Sequence, residues 1–206
     1  MTPEQWWGAA LFMLVSSITP GPNNTMLMAS GVHFGYRRTL AHLLGVQLGF
    51  GFMLIAVGLG LHTVLSQFPA FYDVVRFAGA AYMVWMAWSL ASARPHVQEQ
   101  AAMEQSSPNE RQPLGFWGAV LFQWVNPKAW VMAVTIMSAY VPPGAGLLQI
   151  APLGLMFAVL GFPCSSVWVG FGSALRSYLQ DAFRMRVFNC SMAAALLASL
   201  YPMLTG

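Results

Sequence analysis

The chain has 206 residues, of which 57% are hydrophobic and only 7% are charged. A soluble domain carries about 25% charged residues, so this chain has too little charge to coat a water-facing surface. The composition therefore predicts an integral membrane protein in a lipid bilayer, and its few basic residues give no indication of nucleic-acid binding. Cys164 and Cys190 lie in apolar segments without CxxC spacing, and we expect them to be buried structural thiols.

Six apolar segments are long enough to span a bilayer, which takes about 20 residues. They cover residues 5–29, 42–65, 70–92, 115–140, 146–172 and 185–204. The first segment has no lysine or arginine before it, so it lacks the basic region of a signal peptide. Basic residues concentrate in the loops after the first, third and fifth segments. Because cytoplasmic loops are enriched in lysine and arginine, both termini are predicted to lie outside the cytoplasm.

Residues 93–113 are the main polar linker, rich in Ser, Pro, Gln and Glu. We interpret them as a flexible cytoplasmic connection between a first half, residues 1–92, and a second half, residues 114–206. Each half has three spans, so the second half enters the membrane in the opposite orientation. The predicted fold is a single all-α transporter domain of six transmembrane helices, built as two inverted three-helix repeats with proline-broken helices one and four.

The first predicted helix is interrupted near its middle. Proline lacks an N–H donor and clashes with the preceding turn, so Pro20 and Pro22 break the helix. Pro22 suits the first turn of a new half-helix, whose partly positive N-terminus favours a carboxylate. In a membrane, broken backbone persists only where protein or a watery cavity covers it. The sequence therefore predicts a substrate-binding stretch of Thr19, Pro20, Gly21, Pro22, Asn23 and Asn24.

The fourth predicted helix is interrupted in the same way. Asn126 is expected to be an N-cap and Pro127 the first residue of a new half-helix, followed by the chain's only lysine. Corresponding broken helices in two inverted halves point to a transporter's binding site. We therefore assign Gln123, Asn126, Pro127 and Lys128 to that site. The alternative is a purely structural kink, since neighbouring groups often satisfy the carbonyls that a proline frees.

Four polar side chains within the spans have two interpretations each. Lys128 either acts at the site or caps the C-terminal carbonyls of the opposing half-helix. Gln47 lies in a glycine-dense stretch, and either reaches the first break or bonds a neighbouring helix. Asp73 and Arg76 are three residues apart, and form either a helical ion pair or an outer gate involved in coupling.

Other functional classes lack their motifs. The sequence has no HExxH, GxSxG or Walker motif, and its four histidines share no metal-ligand spacing. We therefore expect no enzyme activity, no cofactor and no metal site. Since there is no ATP-binding domain, uphill transport would use an ion gradient.

Several of these motifs together resemble the LysE/RhtB family of bacterial amino-acid exporters, over essentially the whole chain. The matching stretches are Ile18 to Met28 (ITPGPNNTMLM), Gly35 to Arg38 (GYRR), Gly79 to Tyr82 (GAAY) and Gln123 to Pro127 (QWVNP). The chain looks closest to the RhtB-like branch, which includes cysteine and O-acetylserine exporters. The resemblance implies a multi-pass inner-membrane protein, here with periplasmic termini, that forms a homodimer and exports amino acids in exchange for protons.

The resemblance also bears on the substrate. Family members that export basic amino acids carry acidic residues in spans two and four, where this chain has Gln47 and Met132. We therefore expect an exporter of small neutral amino acids or their metabolites, working by alternating access. The alternatives are a membrane scaffold or sensor without flux, and a passive channel.

Overall fold

A computed structural model describes residues 1–61, 69–92, 113–142 and 144–198. These residues form α-helices and no strand, which confirms the all-α prediction. The helices are α1 Pro3–Ile18, α2 Pro22–Phe34, α3 Tyr36–Ala56, α4 Pro69–Ala91, α5 Phe116–Val125, α6 Pro127–Tyr140, α7 Leu147–Tyr178 and α8 Ala182–Ala198. A π-helical turn, Val57–Leu61, continues α3. Except for residue 113, the predicted linker lies outside the described residues.

Two of the described helices are long and apolar enough to cross a membrane, Tyr36–Gly60 and Leu147–Tyr178. Many large side chains on the outside of the helices are also apolar, including Trp117 and Leu121 on α5 and Leu155 on α7. Such an outer surface suits hydrocarbon better than water. The full count of six spans stays a prediction.

Three of the helices begin where the sequence provides a side-chain cap or a proline. At the start of α1, the Thr2 hydroxyl accepts from the backbone N–H of Gln5, whose side chain accepts in turn from the Thr2 N–H. The helices α2 and α6 begin at Pro22 and Pro127, at a position where the missing N–H costs no helical hydrogen bond. The chain between α1 and α2 is extended at Thr19 and Gly21.

The long helix α7 lies against α1, α2 and α3, while α3 also packs on α5. The contact between α3 and α5 is close because Gly45 and Gly49 face it. A Cβ atom at Gly45 would collide with the Phe116 carbonyl oxygen, and one at Gly49 would lie 2.7 Å from the Val120 Cα. The small-residue spacing in the second predicted span therefore does allow two helices to approach, as expected.

The largest buried cluster joins α1, α3, α6 and α7. At its centre the rings of Phe50 and Phe157 lie 4.1 Å apart between centroids. The two cysteines lie outside this cluster. Cys164 is half-buried and Cys190 is exposed on α8, so the expectation of two buried thiols is wrong for Cys190. An apolar segment that faces outward in a membrane protein does not need to bury its thiol.

Candidate functional site

A cavity opens beside this core, where the end of α1, the starts of α2 and α6, and the middles of α3 and α7 meet. Its empty volume is about 390 Å³, counting the part that is open to solvent. Its polar wall includes Gly21, Asn23, Asn24, Gln47, Asn126 and Lys128.

The end of α1 is held by the amide of Asn24. Its Nδ2 donates to the Ser17 carbonyl at 2.7 Å and to the Thr19 carbonyl at 2.9 Å. These are carbonyls that the end of a helix leaves without an intrahelical donor. Asn24 is buried, so its amide acts here as a C-terminal clamp on the helix that precedes it.

Lys128 reaches the same helix end from α6. Its Nζ donates to the Thr19 hydroxyl at 2.8 Å, to the Thr19 carbonyl at 3.1 Å and to the Pro20 carbonyl at 3.2 Å. Gly21 leaves room for this side chain, because a Cβ there would lie 2.9 Å from the Lys128 Cδ. Within the described part of the chain, Lys128 has no carboxylate partner, and oxygen dipoles alone solvate its charge.

Asn23 and Gln123 pair through their amide groups across 100 residues of sequence. The Asn23 Nδ2 donates to Gln123 Oε1 at 2.9 Å, and the Gln123 Nε2 donates to Asn23 Oδ1 at 3.2 Å. The same Nε2 also donates to the Ala119 carbonyl at 2.9 Å. Gln123 is fully buried, whereas Asn23 is half-buried and lines the cavity. This pair fixes the start of α2 to α5.

Asn126 begins α6 as its N-cap. Its Oδ1 accepts from the Lys128 backbone N–H at 3.1 Å, and the side chain is 1% exposed. The first turns of α2 and α6 therefore both reach the cavity wall. The partial positive charge of two helix N-termini adds there to the charge of Lys128, which gives the cavity an anion-attracting side.

Two polar atoms of the wall have no hydrogen-bond partner among the residues that the structure describes. They are Gln47 Oε1 and Ser17 Oγ, both in buried side chains that line the cavity. The other end of the Gln47 amide is bound, since Nε2 donates to the Ser165 hydroxyl at 2.8 Å. Gln47 thus bonds a neighbouring helix and also lines the cavity.

The remaining predicted site residues have other positions. Thr19 and Pro20 contact Lys128, and Gln123 contacts Asn23, but none of these three lines the cavity. Pro22 and Pro127 are the first residues of their helices. The backbone of Asp73 and Arg76 belongs to α4, while their side chains lie outside the described part of the structure.

Sequence reasoning missed part of the wall. Ser16 and Ser17, in the last turn of α1, were polar residues directly before a break, and that position was a usable signal. Ser165 lies two residues after Pro163 in an apolar segment, a position that gives little signal, although its hydroxyl holds Gln47. Phe50 and Phe157 carried no signal, because an aromatic residue inside an apolar segment looks the same in a wall as in a core.

Comparison with known proteins shows where this architecture belongs. The family model of the LysE type translocators matches residues 14–200. The chain is 30% identical over 200 residues to the cysteine/O-acetylserine efflux protein of Salmonella choleraesuis (strain SC-B67), with 96% of this chain and 95% of that protein covered. For the protein of the same name in Escherichia coli (strain K12), the identity is again 30%, with the same coverage of 96% and 95%. No solved structure matches the chain. The chain therefore belongs to the LysE family, whose members are membrane translocators and not enzymes.

Proposed function

We propose that this chain exports small neutral amino acids, or their metabolites, across the bacterial inner membrane. The relatives are named as efflux proteins for cysteine and O-acetylserine, and both solutes are small, uncharged in their side chains and zwitterionic. The cavity between the two interruptions is the place where such a solute would bind.

One observation carries the proposal: Lys128 stands in the wall of this cavity without a carboxylate partner among the described residues. A solute carboxylate that entered would form a charge-assisted hydrogen bond with Nζ, about twice as strong as a neutral one. The starts of α2 and α6 would add to the attraction. Lys128 thus combines both interpretations, because it holds the end of α1 until a carboxylate competes for it.

A neutral solute side chain fits the rest of the wall. The described lining contains no acidic residue, and its apolar part includes Val46, Phe50, Met132 and Phe157. A cationic side chain would find no counter-charge there, and burying it unpaired would be costly. The absence of an acid at Gln47 and Met132 therefore favours amino acids that are neutral overall.

The proposed cycle is alternating access between two inverted halves. The interrupted pairs α1–α2 and α5–α6 would be the matching broken helices of the two repeats, with the solute between them. The contacts that join the halves here include the Asn23–Gln123 amide pair and the Lys128–Thr19 bond. Both would rearrange as the cavity changes sides. We further propose proton antiport, a homodimer and periplasmic termini, which rest on the family resemblance and the distribution of arginines.

The test is transport by the purified protein in liposomes, with a panel of labelled alanine, serine, cysteine, O-acetylserine and lysine. We expect the neutral amino acids to move against their gradient when a proton gradient is imposed, and an uncoupler to abolish accumulation. A protein that moves no amino acid faster than empty liposomes do is no exporter. Flux that survives the uncoupler without accumulation would identify a passive channel.

The role of Lys128 has its own control. Lys128→Met should raise the KM for alanine about 10- to 100-fold, the equivalent of losing a charged hydrogen bond worth about 1.5–3 kcal/mol. Lys128→Arg keeps the charge and should lose less. Ethylamine lacks the carboxylate, so its inhibition constant against alanine transport should be the same in both variants and in the wild type. An equal effect of Lys128→Met on alanine and ethylamine would contradict carboxylate binding.

A further inference from the structure

The unsatisfied polar atoms of the cavity identify a second recognition element, distinct from Lys128. A polar atom that is buried without a hydrogen bond costs about 1–3 kcal/mol. Native proteins therefore leave few such atoms, and each one calls for an explanation. Two of them, Gln47 Oε1 and Ser17 Oγ, line this one cavity in side chains that are 2% and 7% exposed.

The carbonyl end of Gln47, a side chain that lines the cavity, is held in place by its amide end. Because Nε2 donates to Ser165 Oγ at 2.8 Å, the planar amide group must point Oε1 the other way. Gly161, one turn before Ser165 on α7, makes room for this oxygen, since a Cβ on Gly161 would collide with it. Ser165 and Gly161 thus act as positioning residues for an acceptor.

Ser17 offers a second acceptor from α1. The hydroxyl of a serine in a helix commonly donates to the carbonyl four residues earlier, yet the Ser17 hydroxyl makes no such bond. The Ser17 carbonyl is already bound by Asn24. Its hydroxyl therefore keeps its hydrogen-bonding capacity, both as acceptor and as donor.

An aromatic ring adjoins these acceptors. The site of the absent Cβ on Gly161 is 3.4 Å from Phe157 Cε1, and the rings of Phe50 and Phe157 both line the cavity. A cation over an aromatic face gains about 0.5–2 kcal/mol, more when it is desolvated. Carbonyl oxygen, hydroxyl oxygen and aromatic ring together match the needs of an ammonium group, which has three donors and no acceptor.

We propose that Gln47 Oε1 and Ser17 Oγ bind the α-ammonium group of the exported amino acid, while Lys128 binds its carboxylate. This inference rests on the proposed function and assigns the orientation of the solute within it. It also defines the substrate class: the amino group must be free, so N-acylated amino acids and hydroxy acids are rejected. The carboxylate alone does not suffice for tight binding.

The experiment measures competition for binding of labelled alanine to the purified protein, with three probes of similar size. Alanine carries both charged groups, lactate lacks the ammonium, and N-acetylalanine masks it. In the wild type we expect lactate and N-acetylalanine to compete at least 10-fold more weakly than alanine. Gln47→Met should lower the affinity for alanine about 10-fold and leave the affinity for lactate unchanged. The ratio of the two affinities should therefore fall about 10-fold.

Three further variants separate recognition from folding. Ser17→Ala should shift the ratio in the same direction by about 3-fold, and Ser165→Ala should do the same by freeing the Gln47 amide to rotate. Gln149→Met is the matched control, because Gln149 is exposed at the start of α7 and far from the cavity lining. It should change neither affinity. If Gln47→Met does not fold, the wild-type ratio and Ser17→Ala decide the question.

The outcomes distinguish the two proposals. Equal competition by alanine and lactate in the wild type overturns the ammonium site, and so does a Gln47→Met protein that weakens both probes alike. In either case amino-acid export itself would stand. If alanine neither binds nor is transported, the proposed function fails and the ammonium site fails with it.

Discussion

The amide pair between Asn23 and Gln123 provides a quantitative test of the contact between the two interruptions. Asn23→Leu removes both amide–amide bonds and leaves Gln123 Oε1 without a donor in a side chain that is fully buried. An orphaned buried acceptor costs about 1–3 kcal/mol beyond the modest net value of the bonds. We therefore expect Asn23→Leu to lower the free energy of unfolding by about 2–3 kcal/mol.

The reverse change should cost less. Gln123→Met removes the same two bonds and the bond to the Ala119 carbonyl, but the partner it abandons, Asn23, is half-buried at the cavity wall. Water in the cavity can satisfy Asn23, so we expect a loss of about 1–2 kcal/mol. The double variant contains neither amide group, so no amide is left without its partner. The loss of unfolding free energy in the double variant should be smaller than the sum of the two single losses by about 1–2 kcal/mol. A coupling of this size is typical of residues in contact.

The assay is equilibrium unfolding of the four proteins in detergent micelles, followed by tryptophan fluorescence or by circular dichroism. Additive losses, within about 0.3–0.5 kcal/mol, would show that the two amides are not energetically coupled. The start of α2 and α5 would then not be held together at this point, and the meeting of the two interruptions would lose its main support. A larger loss for Gln123→Met than for Asn23→Leu would refute the argument about water in the cavity.

Three other substitutions test the geometry of the wall. Gly21→Ala should fold normally, because the backbone at Gly21 is extended. It should slow transport several-fold, because the new Cβ would lie 2.9 Å from the Lys128 Cδ and displace that side chain. Gel filtration checks the fold and a flux assay checks the transport rate. Asn126→Ala should lower the free energy of unfolding by about 1 kcal/mol through loss of the N-cap, with Asn126→Ser restoring most of it in thermal unfolding. Gly161→Ala should mimic Gln47→Met in the alanine–lactate competition, because the added methyl displaces Oε1.

The helix ends near the prolines could be predicted from sequence because their cause is local. Proline removes a donor and clashes with the preceding turn wherever it stands in a helix, so α2 and α6 begin at Pro22 and Pro127. The N-cap role of Asn126 follows from the same local chemistry. The small-residue spacing of Gly45 and Gly49 indicates from sequence that a helix can approach α3 closely, but it does not say that this helix is α5.

The partners of the polar side chains could not be predicted in the same way. Asn24 was expected to face the solute, but its amide is bound to the carbonyls of Ser17 and Thr19. The bond between Gln47 and Ser165 joins residues 118 positions apart. Which side chains meet across helices depends on the rotation and height of each helix in the bundle, and no local pattern in one sequence carries that information.

The division between bound and unbound polar groups changes how the site is understood. Asn23, Asn24 and Asn126 are the most conspicuous polar residues of the two interruptions, and hydrogen bonds within the protein occupy all three. Interrupted helices expose backbone groups that must be satisfied inside a membrane, so these amides are needed to keep the interruptions intact. Under the proposed function, a solute would then be recognised by the groups that are left over. Those groups are Lys128, whose charge has no described counter-ion, and the oxygens of Gln47 and Ser17, which have no partner among the described residues. One cation and two acceptors in a single small cavity are the complement of a zwitterion, and of neither an anion nor a cation alone.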